Sequence, residues 1–170
     1  MSPVAPVPAP RDFPVSWEEL HRHAKALAWR LIGQGPLNGQ WRAVIGVARG
    51  GLIPATIVAR EMGVHIVDTV CITHYDELVE LPEPKMVKMV AGDGQGCLII
   101  DDLVDTGKTF EVVRKYLPKA HYATIYAKPA GKSQVDSYVM EISQDTWIHF
   151  PWESTMQYAE PLARQKAGQS

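Results

Sequence analysis

Residues 98–109 read LIIDDLVDTGKT, an apolar run that passes directly into two carboxylates and then into a glycine-containing turn. The run from Cys97 to Ile100 suits a strand covered on both faces. Consecutive strand side chains point to opposite sides, so Asp101 and Asp102 leave the strand in opposite directions, and at most one of them is a simple solvated end. The closing GKT resembles the end of a nucleotide-binding phosphate loop. That loop requires glycine five positions before its second glycine, and Asp102 stands there instead. A carboxylate at that point would oppose the phosphates that the backbone amides have to cradle. Both half-motifs also share one strand–loop–helix unit, whereas an ATPase needs them on separate strands. Local sequence alone leaves open that DTGKT is only a helix-capping turn.

The carboxylate pair favours a ligand. Carboxylates are good acceptors for two hydroxyl donors, as a ribose offers, and amides at a helix start bind a phosphate. A ribose 5-phosphate spans both halves of the motif.

The flanking sequence predicts the frame that would carry such a site. Ser16 and Glu19 form a capping-box pattern, and Leu20, Ala24, Leu27, Ala28 and Leu31 follow at helical spacing, which predicts a helix from Trp17 to Ile32. RAVIGVARGG reads as a buried strand ending in a glycine pair, LIPATIVAREMG as a helix stopped by Gly63, and HIVDTVCIT as another buried strand. HYDELVELPEPK is polar, proline-containing and long enough for a mobile flap, and MVKMVAGDGQG suits a hairpin arm. CLIIDD, FEVVRKYL and HYATIYAKP then read as strand, helix and strand. Strands alternating with helices predict an α/β domain with a mostly parallel sheet, whose ligands bind beyond the carboxyl ends of the strands. The turns ARGG, DDLVDTGKT and AKP all fall at that edge.

Composition narrows the partners. Lys and Arg total 17 against 19 Asp and Glu, which leaves no broad basic field for a nucleic-acid polymer. Cys71 and Cys97 sit beside apolar runs and read as reduced thiols, which predicts a cytoplasmic protein. No apolar run is long enough to span a bilayer, so any membrane contact is expected to be peripheral on the inner membrane. Residues 1–14, with their five prolines and no basic segment followed by an apolar one, read as a flexible tail rather than a signal peptide. Residues 15–152 are expected to form the domain, and 153–170 an extension that is partly disordered.

LIIDDLVDTGKT resembles the phosphoribosyl pyrophosphate (PRPP) signature of the type I phosphoribosyltransferases. The resemblance extends through VARGGLIPATIVARE, DTVCI, KAHYATIYAKPAG and DTWIHFPW, in that order, to the bacterial xanthine-guanine branch of the family. It implies an α/β fold with a mostly parallel central sheet flanked by helices, a flexible flap and a small C-terminal hood. It also implies Mg²⁺-dependent transfer of the 5-phosphoribosyl group from PRPP to 6-oxopurine bases, by a homo-oligomer, a tetramer in this family.

The residue roles below are those the resemblance implies. Arg49, Gly50 and Gly51 would meet the pyrophosphate, on a loop that carries a non-proline cis peptide. Asp101 and Asp102 would hold the ribose hydroxyls, and Asp102 would contribute to the metal site. Asp105, Thr106, Gly107, Lys108 and Thr109 would bind the 5-phosphate. Asp105 would also act as the catalytic group at the purine N7 side. Lys128 would donate to the 6-oxo group, Trp147 would stack on the ring, and the Ile148 backbone would face the 2-position. His74 and Tyr75 would lie in the flap. By residue type alone, Trp147 reads as a core aromatic and Lys128 as a solvated charge.

Ala48 and Lys108 depart from the serine and glycine expected there, as His74 does from a small serine, and His149 is the position to watch for purine choice. The rivals are a hypoxanthine-preferring transferase and a PRPP- or nucleotide-sensing regulator without turnover.

Overall fold

The computed structural model describes residues 11–76 and 79–153, and for 74–76 and 79–81 the backbone alone. The chain forms two compact units, a larger one of Leu20–Gln144 and a smaller one made of the residues before and after it.

The larger unit is built on a six-stranded sheet. Its strands are β2 (Ala43–Ala48), β3 (Val67–Asp76), β4 (Val79–Lys88), β5 (Cys97–Val104), β6 (His121–Ala127) and β7 (Ser137–Glu141), in the order β4-β3-β2-β5-β6-β7. All neighbours pair in parallel except β3 with β4. The helices are α1 (Trp17–Leu31), which starts in the smaller unit, α2 (Leu52–Glu61) and α3 (Lys108–Tyr116). This is the expected α/β frame with a mostly parallel sheet flanked by helices.

Both faces of the central strands are covered. Ile45, Val47 and Ile99 pack in one core with Phe110, Val113, Leu117 and Tyr122. Their strand neighbours Val44, Leu98 and Ile100, pointing the other way, are equally buried. That explains why these strands read as continuous apolar runs rather than alternating ones. α1 lines up Leu20, Ala24, Leu27, Ala28 and Leu31 as its buried stripe, as their spacing predicts. Gly63 follows the C-cap of α2, and its φ of 66° suits a residue without a Cβ.

Two local expectations change. HIVDTVCIT reads as a buried strand, yet Val67 is exposed and only Val70 of β3 is fully enclosed among the residues whose burial is described. β3 lies next to the edge strand, and an apolar run by itself does not report how near the edge a strand lies. α3 begins at Lys108 rather than Phe110, because Gly107 in the left-handed conformation serves as its N-cap. Within the expected flap, the side chains of His74 and Tyr75 lie outside the described residues.

The smaller unit contains a two-stranded parallel sheet of β1 (Arg11–Pro14) and β8 (Thr146–His149). Arg11–Pro14 therefore correct the expected tail boundary. In RDFP only Phe13 is half-buried, so the segment carries no alternation that could stand out among the prolines, and its pairing partner lies more than a hundred residues away. Residues 1–10 and 154–170 lie outside the described part. No helix among the described residues is long and apolar enough to cross a membrane, and Cys71 and Cys97 are both free thiols.

Candidate active site

The site begins where β2 ends. The Ala48–Arg49 peptide is cis, as the resemblance implies, and the chain turns through Gly50 and Gly51 into α2. β2 and β5 are neighbours, so this turn runs beside the acidic end of β5. A Cβ on Gly50 would lie 2.1 Å from Asp102 Oδ2, and one on Gly51 would lie 2.3 Å from the Ile100 carbonyl. The glycine pair is thus a condition for two strand ends to lie side by side.

On β5, the Asp102 amide donates to Asp101 Oδ1 at 2.9 Å. Withdrawal from solvent pushes the Asp101 carboxyl well above the ordinary carboxylate range, and the neighbouring Asp102 charge pushes it the same way. Asp102, a hard-oxygen donor set against the glycine turn, fits a divalent cation completed by polyphosphate oxygens. Among the described residues no group of three or more metal-ligating side chains is gathered, so polyphosphate oxygens and water would supply the rest of that coordination.

Past Val104 the chain bends through Asp105, Thr106 and Gly107 into α3. Gly107 has φ 88°, and a Cβ there would strike Gln134 Cγ at 2.5 Å. No side chain caps this helix start. The first amides of a helix have no partner within it, so the start of α3, with Lys108 and Thr109, presents donors suited to an anion.

β6 delivers the next group. Val104 and Ala127 are register partners, which puts Asp105 beside Lys128. Lys128 is 5% exposed, and its Nζ lies 3.0 Å from Asp105 Oδ2. Its amide donates to the Val104 carbonyl at 2.9 Å. Gln144, not singled out by sequence reasoning, donates from Nε2 to Asp105 Oδ1 at 2.6 Å. The only sequence signal for it was a polar residue shortly before Trp147.

The larger unit therefore brings Arg49–Gly51, Asp101, Asp102, Asp105–Thr109 and Lys128 to the carboxyl ends of β2, β5 and β6. Trp147 and Ile148 belong to the smaller unit. There Trp147 is 62% exposed while Ile148 is buried, the alternation expected along a strand. Lys128 and Trp147 each invert the ordinary burial of their residue type. His149 Nε2 lies 2.8 Å from Asp12 Oδ1, across the β1–β8 pair.

Residues 16–159 match the phosphoribosyl transferase domain family. The chain is 54% identical over 159 residues to a xanthine-guanine phosphoribosyltransferase of Cereibacter sphaeroides, covering 91% of this chain and 95% of that one. It is 55% identical over 153 residues to the enzyme of the same name from Nitratidesulfovibrio vulgaris, covering 90% and 91%. Among solved structures it resembles a purine phosphoribosyltransferase from Pyrococcus horikoshii, with TM-score 0.71, 31% identity, and coverage of 85% and 95%.

Proposed function

The chain belongs to the phosphoribosyltransferase family, and from that premise we propose that it is a xanthine-guanine phosphoribosyltransferase of purine salvage. It transfers the 5-phosphoribosyl group of PRPP to guanine, xanthine and, less well, hypoxanthine, giving the nucleoside monophosphate and pyrophosphate. The observation that carries this reading is the gathering of three features at one sheet edge: the glycine turn against Asp102, the uncapped start of α3, and the Lys128–Asp105 pair.

In this reading the backbone at Gly50 and Gly51, with the exposed Arg49, receives the pyrophosphate. Asp101 and Asp102 accept the ribose hydroxyls, and the loop from Asp105 to Thr109 takes the 5-phosphate, where Lys108 adds a cation. Mg²⁺ on the PRPP polyphosphate, held in part by Asp102 directly or through water, would neutralise charge on the departing pyrophosphate. The purine nitrogen bonds to the anomeric carbon as the bond to pyrophosphate breaks. Asp105 takes the proton at the N7 side of the base.

Lys128 donates to the 6-oxo group, which excludes adenine, whose 6-amino group would present donors to an ammonium. Support for that role comes from its burial beside Asp105 rather than in solvent. Trp147, by its exposure, is free to stack on a ring, with the Ile148 backbone at the 2-position. The segment containing His74 and Tyr75 serves as the flap that excludes water. The working protein is a cytoplasmic homo-oligomer, a tetramer by family resemblance.

The test is direct. The purified protein with Mg²⁺ and PRPP is given guanine, xanthine, hypoxanthine or adenine in turn, and nucleotide formation is followed by chromatography. Product from the oxopurines and not from adenine is expected. PRPP binding without product from any base would replace this reading with a regulator.

A further inference from the structure

Asp105 is held at both carboxylate oxygens. Lys128 Nζ takes Oδ2 at 3.0 Å and Gln144 Nε2 donates to Oδ1 at 2.6 Å. Gln144 is fixed at its other end as well, because its Oε1 accepts the Ala130 amide at 2.9 Å. A primary amide whose carbonyl accepts a backbone N–H has the direction of its NH₂ group determined. The two bonds therefore define one orientation of this side chain. Its segment is anchored too: Ile142, two residues earlier, is 9% exposed and donates its amide to the Ala127 carbonyl at 3.0 Å. On the facing turn, the Gly131 amide bonds the Lys128 carbonyl at 3.1 Å. Gln144 thus ties together the β7–β8 connection, the turn after Lys128 and the loop after β5.

We propose that Gln144 is a positioning residue for Asp105: it pins Oδ1 so that Oδ2 is presented to the purine when Lys128 turns from Asp105 to the 6-oxo group. The proposal rests on the phosphoribosyl-transfer reading above. Without a base, Lys128 and Gln144 share the carboxylate. Once the ammonium is drawn to the base, the carboxylate loses its partner at Oδ2, and the bond at Oδ1 keeps its plane fixed. The lone pairs of Oδ2 then face the proton to be removed. A neutral amide suits this task better than a second cation, because a charged donor would bind the carboxylate more strongly and weaken it as a base. Glutamine also does not titrate, so its hold on Asp105 is independent of pH.

The experiment compares Gln144→Ala and Gln144→Glu with the wild-type chain, using Mg²⁺, PRPP and guanine. Gln144→Ala is expected to lower kcat about tenfold while the KM for PRPP changes by less than about threefold. Gln144→Glu can still accept the Ala130 amide but sets a carboxylate against Oδ1. Like charges raise proton affinity, so the acid limb of its kcat/KM profile should move to higher pH. A merely structural glutamine would lower the melting temperature of the variants while leaving kcat per folded enzyme and the acid limb unchanged, and that result overturns the proposal. If the wild type forms no nucleotide at all, the transfer reading falls. If it does and Gln144→Ala matches it, only the present inference falls.

Discussion

Lys128 Nζ and Asp105 Oδ2 lie 3.0 Å apart, with the lysine side chain 6% exposed and the aspartate half in solvent. The buried partner is the one whose loss should matter for the base. Lys128→Ala is expected to weaken oxopurine use by about ten- to hundredfold, the scale of a hydrogen bond to a charged group. PRPP affinity should change by less than about threefold, because the loop proposed to take the 5-phosphate and the glycine turn remain. Competitive turnover and PRPP calorimetry separate the two, and an equal loss of both would place Lys128 at the phosphates instead.

Asp105→Asn preserves size and one hydrogen-bonding oxygen but cannot take a proton. Turnover should fall by about a hundredfold, within the range for a general base, with PRPP affinity much less affected. Single-turnover rates with guanine measure this. Near-normal turnover would remove Asp105 from proton handling.

The two glycines of the turn should respond differently to alanine. At Gly50 the new Cβ meets the end of the Asp102 side chain, which can swing away; at Gly51 it meets the Ile100 carbonyl and the Val47 backbone, which cannot. Gly50→Ala should fold with less than about 1 kcal/mol lost, yet use PRPP at least about tenfold less well, because Asp102 is displaced. Gly51→Ala should cost about 2–4 kcal/mol by overpacking against backbone. Urea unfolding paired with PRPP kinetics distinguishes them, and equal stability of both variants would contradict the geometry.

Ser16 and Glu19 bond reciprocally at the start of α1: the Glu19 amide donates to Ser16 Oγ at 3.2 Å, and the Ser16 amide to Glu19 Oε2 at 3.0 Å. Ser16→Ala should cost about 1 kcal/mol, read as a lowered thermal midpoint with kcat unchanged. Wild-type stability in this variant would mean the cap contributes nothing.

Burial lowers the pKa of His121, and the Arg114 charge lowers it further against the opposing pull of Asp136. Folded protein then binds fewer protons than unfolded chain just below the ordinary histidine pKa, so stability should decline as pH falls from about 6.5 through the lowered value. The imidazole lies 2.8 Å from Ser137 Oγ, away from the proposed site. His121→Asn should flatten this part of the stability profile, as followed by urea midpoints across pH. An unchanged slope in the variant would assign the pH dependence to other groups.

The DD-x-x-DTG segment, the ARGG turn and the AKP turn were legible in the sequence because their chemistry is local. Apolar runs specified strands, glycines specified turns, and the alternation of strands with helices put all the turns at one sheet edge. That order also fixed the helix from Trp17, since the capping box and the buried stripe are short-range patterns. Pairing over long separations was decided only in three dimensions. β1 was hidden in a proline-rich start because its partner strand is β8, and strand pairing leaves no mark in a four-residue segment until the partner is present. Lys128 became a buried cation, and Gln144 a partner of Asp105, only when β6 and the β7–β8 connection came to lie beside the loop after β5. A sequence states which donors and acceptors a chain owns; which of them meet depends on strand order, and strand order emerges from packing the whole sheet.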